Sequence, residues 1–284
     1  MRSLLLACVA GCFAVSLAHA QTDVLIEVEL ERKQGDQPVR MRAILSKPER
    51  ATDTALLFFR GVPGYALINS VQDKKRNLGW MGRGKVQSLL MQAGIAFVIV
   101  DCPTDQWGES PKPPATNCLH QYRFSRQHAD DVRRLIAHLK EKHGLSRQFL
   151  LGHSMGTVSS RSLAIHLGKD EVAGIIHSAT INFPNPNRGN ILQLYGDFSG
   201  IFPRKAAGMP MLHLHNENDA CPGTPYAPVR AYAQDNLVTV RGGIPEGEPC
   251  GVGHLHSHQG REDVAIAAVI TWIKTGKVEP VVGE

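Results

Sequence analysis

The chain has 284 residues, 43% of them hydrophobic and 20% charged, with a formal net charge of +5. That length suits one large α/β domain with a substantial core, and no interdomain linker, internal repeat or low-complexity tract divides it. The basic excess is spread along the sequence; its densest cluster, Lys74-Lys75-Arg76, reads as a solvated loop rather than a nucleic-acid patch.

The first segment reads as a targeting signal. Met1-Arg2-Ser3 precedes an apolar run from Leu4 to Leu17, and Ala18-His19-Ala20 supplies an A-x-A site before the polar Gln21-Thr22-Asp23. A basic start, a short apolar stretch and small residues at the cut describe a secretory signal peptide, residues 1–20, cleaved after Ala20. The run is too short and too weakly flanked for a membrane span. A lipoprotein cut before Cys12 ranks lower, because Phe13-Ala14-Val15 stays apolar where a tethered chain should turn polar. Export to a periplasm or the medium is expected, with residues 21–284 as the mature domain. Cys8 and Cys12 leave with the signal, so Cys102, Cys118, Cys221 and Cys250 remain. An even count in an oxidising compartment favours disulfides over free thiols. Of the three possible connectivities, Cys102–Cys118 is preferred because it closes a Pro-rich loop, leaving Cys221–Cys250.

Residues 24–30 and 39–45 read as strands joined through a turn at Gly35-Asp36. Ala55 to Phe59 is a continuous apolar run, which fits a strand buried on both faces, and it ends in the turn Arg60-Gly61-Val62-Pro63-Gly64-Tyr65. A helix over 85–92 stops at Gly94, and Ile95 to Val100 forms the next buried strand. From Asp130 to His143, Val132, Leu135, Ile136 and Leu139 follow helical spacing up to Gly144. Residues 148–151 are a strand feeding a helix that runs to about Gly168. Strands at 172–176, 211–215 and 237–240 follow, then a helix over 262–274 with Ile266, Ile270 and Ile273 on one face. Eight strands alternating with helices imply a mostly parallel sheet covered on both faces, its first two strands antiparallel.

Gly152-His153-Ser154-Met155-Gly156 sits where a strand turns into a helix. A G-x-S-x-G in that context lifts the Ser154 hydroxyl above the sheet, and the small residues on either side let the backbone turn sharply. The Met155 N–H then lies at a helix N-terminus, where an unpaired donor and the helix dipole can stabilise an oxyanion.

With the strand pair, the strand–helix repeats and this elbow, the chain resembles the α/β-hydrolase superfamily, most closely exported, dienelactone-hydrolase-like serine hydrolases. The resemblance implies a Ser…Asp/Glu…His triad in that chain order, while the stretch 180–208 between two strands leaves room for only a small or absent cap. It places the acid just past the strand ending at His215, selecting Asp219 with Glu217 as runner-up. It places the base four residues before the Gly of Gly260-Arg261-Glu262, which selects His256 and leaves His254 and His258 as alternatives. It also implies a second oxyanion donor, the Val62 N–H, in a turn where Arg60 stands for the family's usual His. The Cys221–Cys250 bridge would then link the two loops bearing acid and base.

The expected reaction is therefore ester hydrolysis of a small molecule through an acyl-enzyme, without cofactor or nucleic acid. Peptidase, thioesterase, lactonase and perhydrolase chemistry use the same triad, and a binding protein on a retired scaffold is the non-enzymatic alternative. The histidines at 213, 215, 254, 256 and 258 could gather around zinc, but no carboxylate is spaced to complete a known ligand pattern. Residues 180–208 leave room for a short lid with one helix near 191–195. Trp80, Trp107 and Tyr226 are candidate pocket walls.

Overall fold

The computed structural model describes residues 22–107, 118, 120–182 and 208–284. The expected signal segment 1–20, most of the expected lid and most of the Pro-rich loop 105–117 lie outside the described residues.

A nine-stranded sheet runs in the order β1-β2-β4-β3-β5-β6-β7-β8-β9, built from β1 Thr22–Gln34, β2 Gln37–Lys47, β3 Thr54–Phe59, β4 Ala96–Val100, β5 Arg147–His153, β6 Gly174–Ser178, β7 Met211–Asn216, β8 Leu237–Arg241 and β9 Val281–Gly283. β1 and β2 pair antiparallel, β2 joins β4 antiparallel, and every later pairing is parallel. The sheet thus has one strand more than the sequence predicts. The addition is β9, whose three residues are too few to show a periodicity. Every residue of β3 is buried, as its unbroken apolar run requires, whereas β1 alternates buried Ile26, Val28 and Leu30 with exposed Glu27, Glu29 and Glu31.

Helices cover both faces. On one side α4 (Arg126–His143) and α5 (Gly156–His166) bury Val132, Leu135, Leu139 and Leu163 against Leu57, Val98 and Leu150 of the sheet. On the other, α2 (Val86–Gln92) and α7 (Glu262–Thr275) bury Leu90, Ile266 and Ile273 against Phe58, Ile99 and Leu151. Each such side chain contributes roughly 1.5–3 kcal/mol of transfer free energy, so the two layers hold the sheet as one body. Helix α4 starts four residues earlier than its apolar spacing shows, because the Ser125 hydroxyl caps it by accepting the His128 N–H at 3.1 Å. The basic cluster is not simply a solvated loop. Lys74 begins the short helix α1 (Lys74–Asn77), is buried, and pairs with Asp23 at 2.8 Å.

Candidate active site

Strand β5 ends at His153, and Ser154 takes φ +53, a left-handed conformation that costs a non-glycine residue about 1–3 kcal/mol. The strain is held by close packing. The Ser154 N–H donates to Ser178 O at 2.9 Å and its carbonyl accepts the Thr157 N–H at 2.8 Å, opening α5. A Cβ at Gly156 would collide with the carbonyl oxygen of Phe59, and one at Gly152 with Gly156 O and Ser160 Oγ. Only glycine at both positions lets β3, β5 and α5 approach this closely.

The turn after β3 lies beside the elbow. A Cβ on Gly61 would sit 3.2 Å from Ser154 Cβ and 3.6 Å from its Oγ. Ser154, Met155, Gly61 and Val62 border one cavity of about 250 Å³, together with Trp80, Ile181, Thr224 and His256. Arg60 also lines it and is no surface charge: its guanidinium bonds Asn77 Oδ1, and burial lowers its pKa.

The loop after β7 carries Asp219, whose side chain is wholly buried. Oδ1 accepts the Cys221 N–H at 2.9 Å. Oδ2 accepts Thr224 Oγ1–H at 2.8 Å and His256 Nδ1–H at 3.0 Å, and lies 3.3 Å from His215 Nε2. Burial alone would push this carboxyl up; hydrogen bonds from His215 and His256 outweigh it and hold the group far below the usual carboxylate range. A carboxylate that only accepts places the His256 proton on Nδ1. Nε2 is left as a lone pair with no hydrogen-bond partner, on an imidazole that lines the cavity with Ser154. The Oγ–Nε2 bond is thus unformed.

A family model described as serine aminopeptidase, S33, matches residues 85–245, more than half of the chain. The chain belongs to this α/β-hydrolase family. Among solved structures, this S33-family chain is similar to 2,6-dihydroxy-pseudo-oxynicotine hydrolase (13% identity, TM-score 0.55, 92% of this chain and 70% of that one). It is also similar to Est1E from Butyrivibrio proteoclasticus (13%, 0.54, 88% and 97%). A third is an S-formylglutathione hydrolase from Agrobacterium tumefaciens (12%, 0.52, 91% and 95%). At such identities the likeness is one of fold. No curated protein sequence matches.

Of the three loop histidines in this S33-family chain, His256 alone reaches Asp219. His258 is buried against Trp80, ring centres 5.0 Å apart, and its Nε2 bonds Ser178 Oγ at 3.0 Å. Ser178 in turn bonds His153 Nδ1 at 3.1 Å, tying the loop to the elbow strand. His254 is buried, and its carbonyl accepts the Ser257 and Gln259 N–H groups. Glu217 points elsewhere, to Arg241 at 3.2 Å. Both expected disulfides are present, Cys102–Cys118 and Cys221–Cys250, and the second pair borders the cavity. Trp80 forms a wall. Trp107 instead gives its indole N–H to Cys102 O at 2.9 Å, and Tyr226 shares a hydrogen bond with Thr239. Among the described residues no group of three or more His, Cys, Asp or Glu is placed to hold a metal ion. The sequence reading missed Thr224 and the carboxylate-facing role of His215; the H-x-H at 213–215 drew attention to zinc instead.

Proposed function

We propose that this chain is an exported serine hydrolase of carboxylic esters, acting through Ser154, His256 and Asp219, with residues 1–20 removed as a signal peptide. The observation that carries the reading is the Asp219–His256 hydrogen bond behind an imidazole whose free Nε2 shares a cavity with the strained Ser154. His256 Nε2 takes the Ser154 proton as Oγ attacks the ester carbonyl. The N–H groups of Met155 and Val62 receive the oxyanion, and the imidazolium returns the proton to the departing alcohol. Water, deprotonated by the same nitrogen, then releases the acid and restores Ser154. Asp219 fixes the tautomer and stabilises the imidazolium throughout. Two disulfides, one of them bordering the cavity, support folding in an oxidising compartment.

The family's description as an aminopeptidase offers a second reading, since the same triad cleaves amides. An aminopeptidase must neutralise a substrate ammonium, and no Asp or Glu is among the described residues lining the cavity, where the one formal charge is Arg60. That balance favours esters with neutral or acidic acyl groups.

Ser154→Ala should lower kcat/KM for p-nitrophenyl acetate by about a thousandfold or more. Labelling by a fluorophosphonate should fall on Ser154 alone, read by peptide mass. Near wild-type turnover in the variant defeats the reading. Faster cleavage of aminoacyl p-nitroanilides than of matched esters transfers it to the peptidase.

A further inference from the structure

Arg123 lies in α3 (His120–Phe124), is 2% exposed, and is used by none of the steps above. Its guanidinium makes four hydrogen bonds: Nη2 to Gly64 O at 2.7 Å, Nη1 to Met155 O at 3.0 Å and to Ser159 Oγ at 3.2 Å, and Nε to Cys118 O at 3.3 Å. All four acceptors are neutral, and among the described residues no carboxylate lies within salt-bridge distance of it. Burial pushes its pKa down to about 10, so it stays a cation at neutral pH. A buried, unpaired charge is costly, and a fold keeps one only when its hydrogen bonds organise something.

What they organise is the pair of segments that carry the proposed oxyanion donors. Gly64 closes the turn that holds Val62, and Met155, next to Ser154 in the elbow, is itself the other proposed donor. One rigid fork therefore sets the distance between two chain segments about 90 residues apart in sequence. Gly64 is fitted to the fork: it adopts φ +93, and a Cβ there would overlap Arg123 Nη2. The other end is anchored twice, through the Cys102–Cys118 bridge and through Tyr122 Oη–H to Asp131 at 2.8 Å. The guanidinium also brings a positive charge to 3.0 Å from the carbonyl of Met155, whose N–H is one of the proposed donors.

We infer that Arg123 is a positioning residue for the oxyanion hole, clamping the Val62 turn onto the elbow. The inference rests on the esterase reading above and deepens it. Because the clamp acts on the transition state, its loss should lower kcat and leave KM nearly unchanged.

The test compares wild type with Arg123→Lys, Arg123→Met and Gly64→Ala. It follows p-nitrophenyl acetate hydrolysis, the rate of fluorophosphonate labelling of Ser154, and inhibition by phenylboronic acid, which forms a tetrahedral adduct on the serine. Arg123→Lys keeps the charge but not the fork, and should lose at least about tenfold in kcat with KM within threefold. Arg123→Met should approach the roughly hundredfold loss expected for one oxyanion donor. Labelling rate and boronate affinity should fall by the same factors while the far-ultraviolet circular dichroism is kept. If Arg123→Met does not fold, the lysine and Gly64→Ala variants decide. Folded variants with kcat and boronate affinity within threefold of wild type overturn the inference alone. A wild-type protein that is neither active on esters nor labelled at Ser154 overturns the esterase reading, and this inference with it.

Discussion

Asp219 shows how much one carboxylate can set. Its Oδ2 receives His256 Nδ1–H and Thr224 Oγ1–H, and those partners dictate which imidazole nitrogen is free. Asp219→Asn would turn an N–H toward His256 Nδ1, move the imidazole proton to Nε2, and leave Ser154 without a base. Turnover of p-nitrophenyl acetate should fall by roughly 10³- to 10⁴-fold, with fluorophosphonate labelling slowed in parallel. Undiminished labelling would show that another group takes the serine proton. The residues that meet in this site were legible because each sits at a recognisable junction, Ser154 at strand-to-helix and Asp219 just past a strand. Arg123 was not. Its partners are mostly backbone carbonyls from three separate segments, and carbonyls leave no trace in a sequence.

The loops that carry Asp219 and His256 are joined covalently as well as by hydrogen bonds. Cys221 stands two residues from Asp219 and Cys250 six residues before His256, and the two cysteines are 29 positions apart in sequence. Closing a loop of that length restricts the unfolded chain by about 3–4 kcal/mol in the chain-entropy picture. The Cys221→Ser/Cys250→Ser double variant should therefore unfold at a clearly lower temperature by differential scanning calorimetry. It should also lose several-fold in kcat, because the Asp219 and His256 loops are then held together by their hydrogen bonds alone. An unchanged melting temperature would mean that the loops are fixed by packing around His258 and Trp80. Elements with strong periodicity, such as α4 and α7, were readable in the sequence. Strand β9 and helix α6 (Tyr226–Ala233) were not: one is three residues long, and the other has only two buried residues, Val229 and Ala233, to mark its inner face.

Across the whole molecule, imidazoles are unusually deep. His128, His213 and His258 are buried, and burial brings the pKa of each down to about 3; His153 and His177 are lowered by the same cause. In the unfolded chain each returns to the ordinary value of 6.5. Between those limits the unfolded chain binds protons that the folded one refuses, so stability falls as pH falls. Each group steepens the loss by up to about 1.4 kcal/mol per pH unit. Thermal midpoints should therefore drop progressively below about pH 6 and stay flat, as far as these groups are concerned, from pH 7 to 9. A midpoint independent of pH between 4 and 7 would mean that these rings are charged in the native protein.

The Cys102–Cys118 cross-link buttresses the arginine behind the elbow, while Cys221–Cys250 borders the cavity itself. Production history therefore matters to anyone assaying this hydrolase. Batches harvested from a thiol-rich cytoplasm and from an oxidising culture would share a sheet yet differ in how firmly the mouth of the cavity is set. Reductant in an assay buffer would then register as lost turnover well before any lost secondary structure.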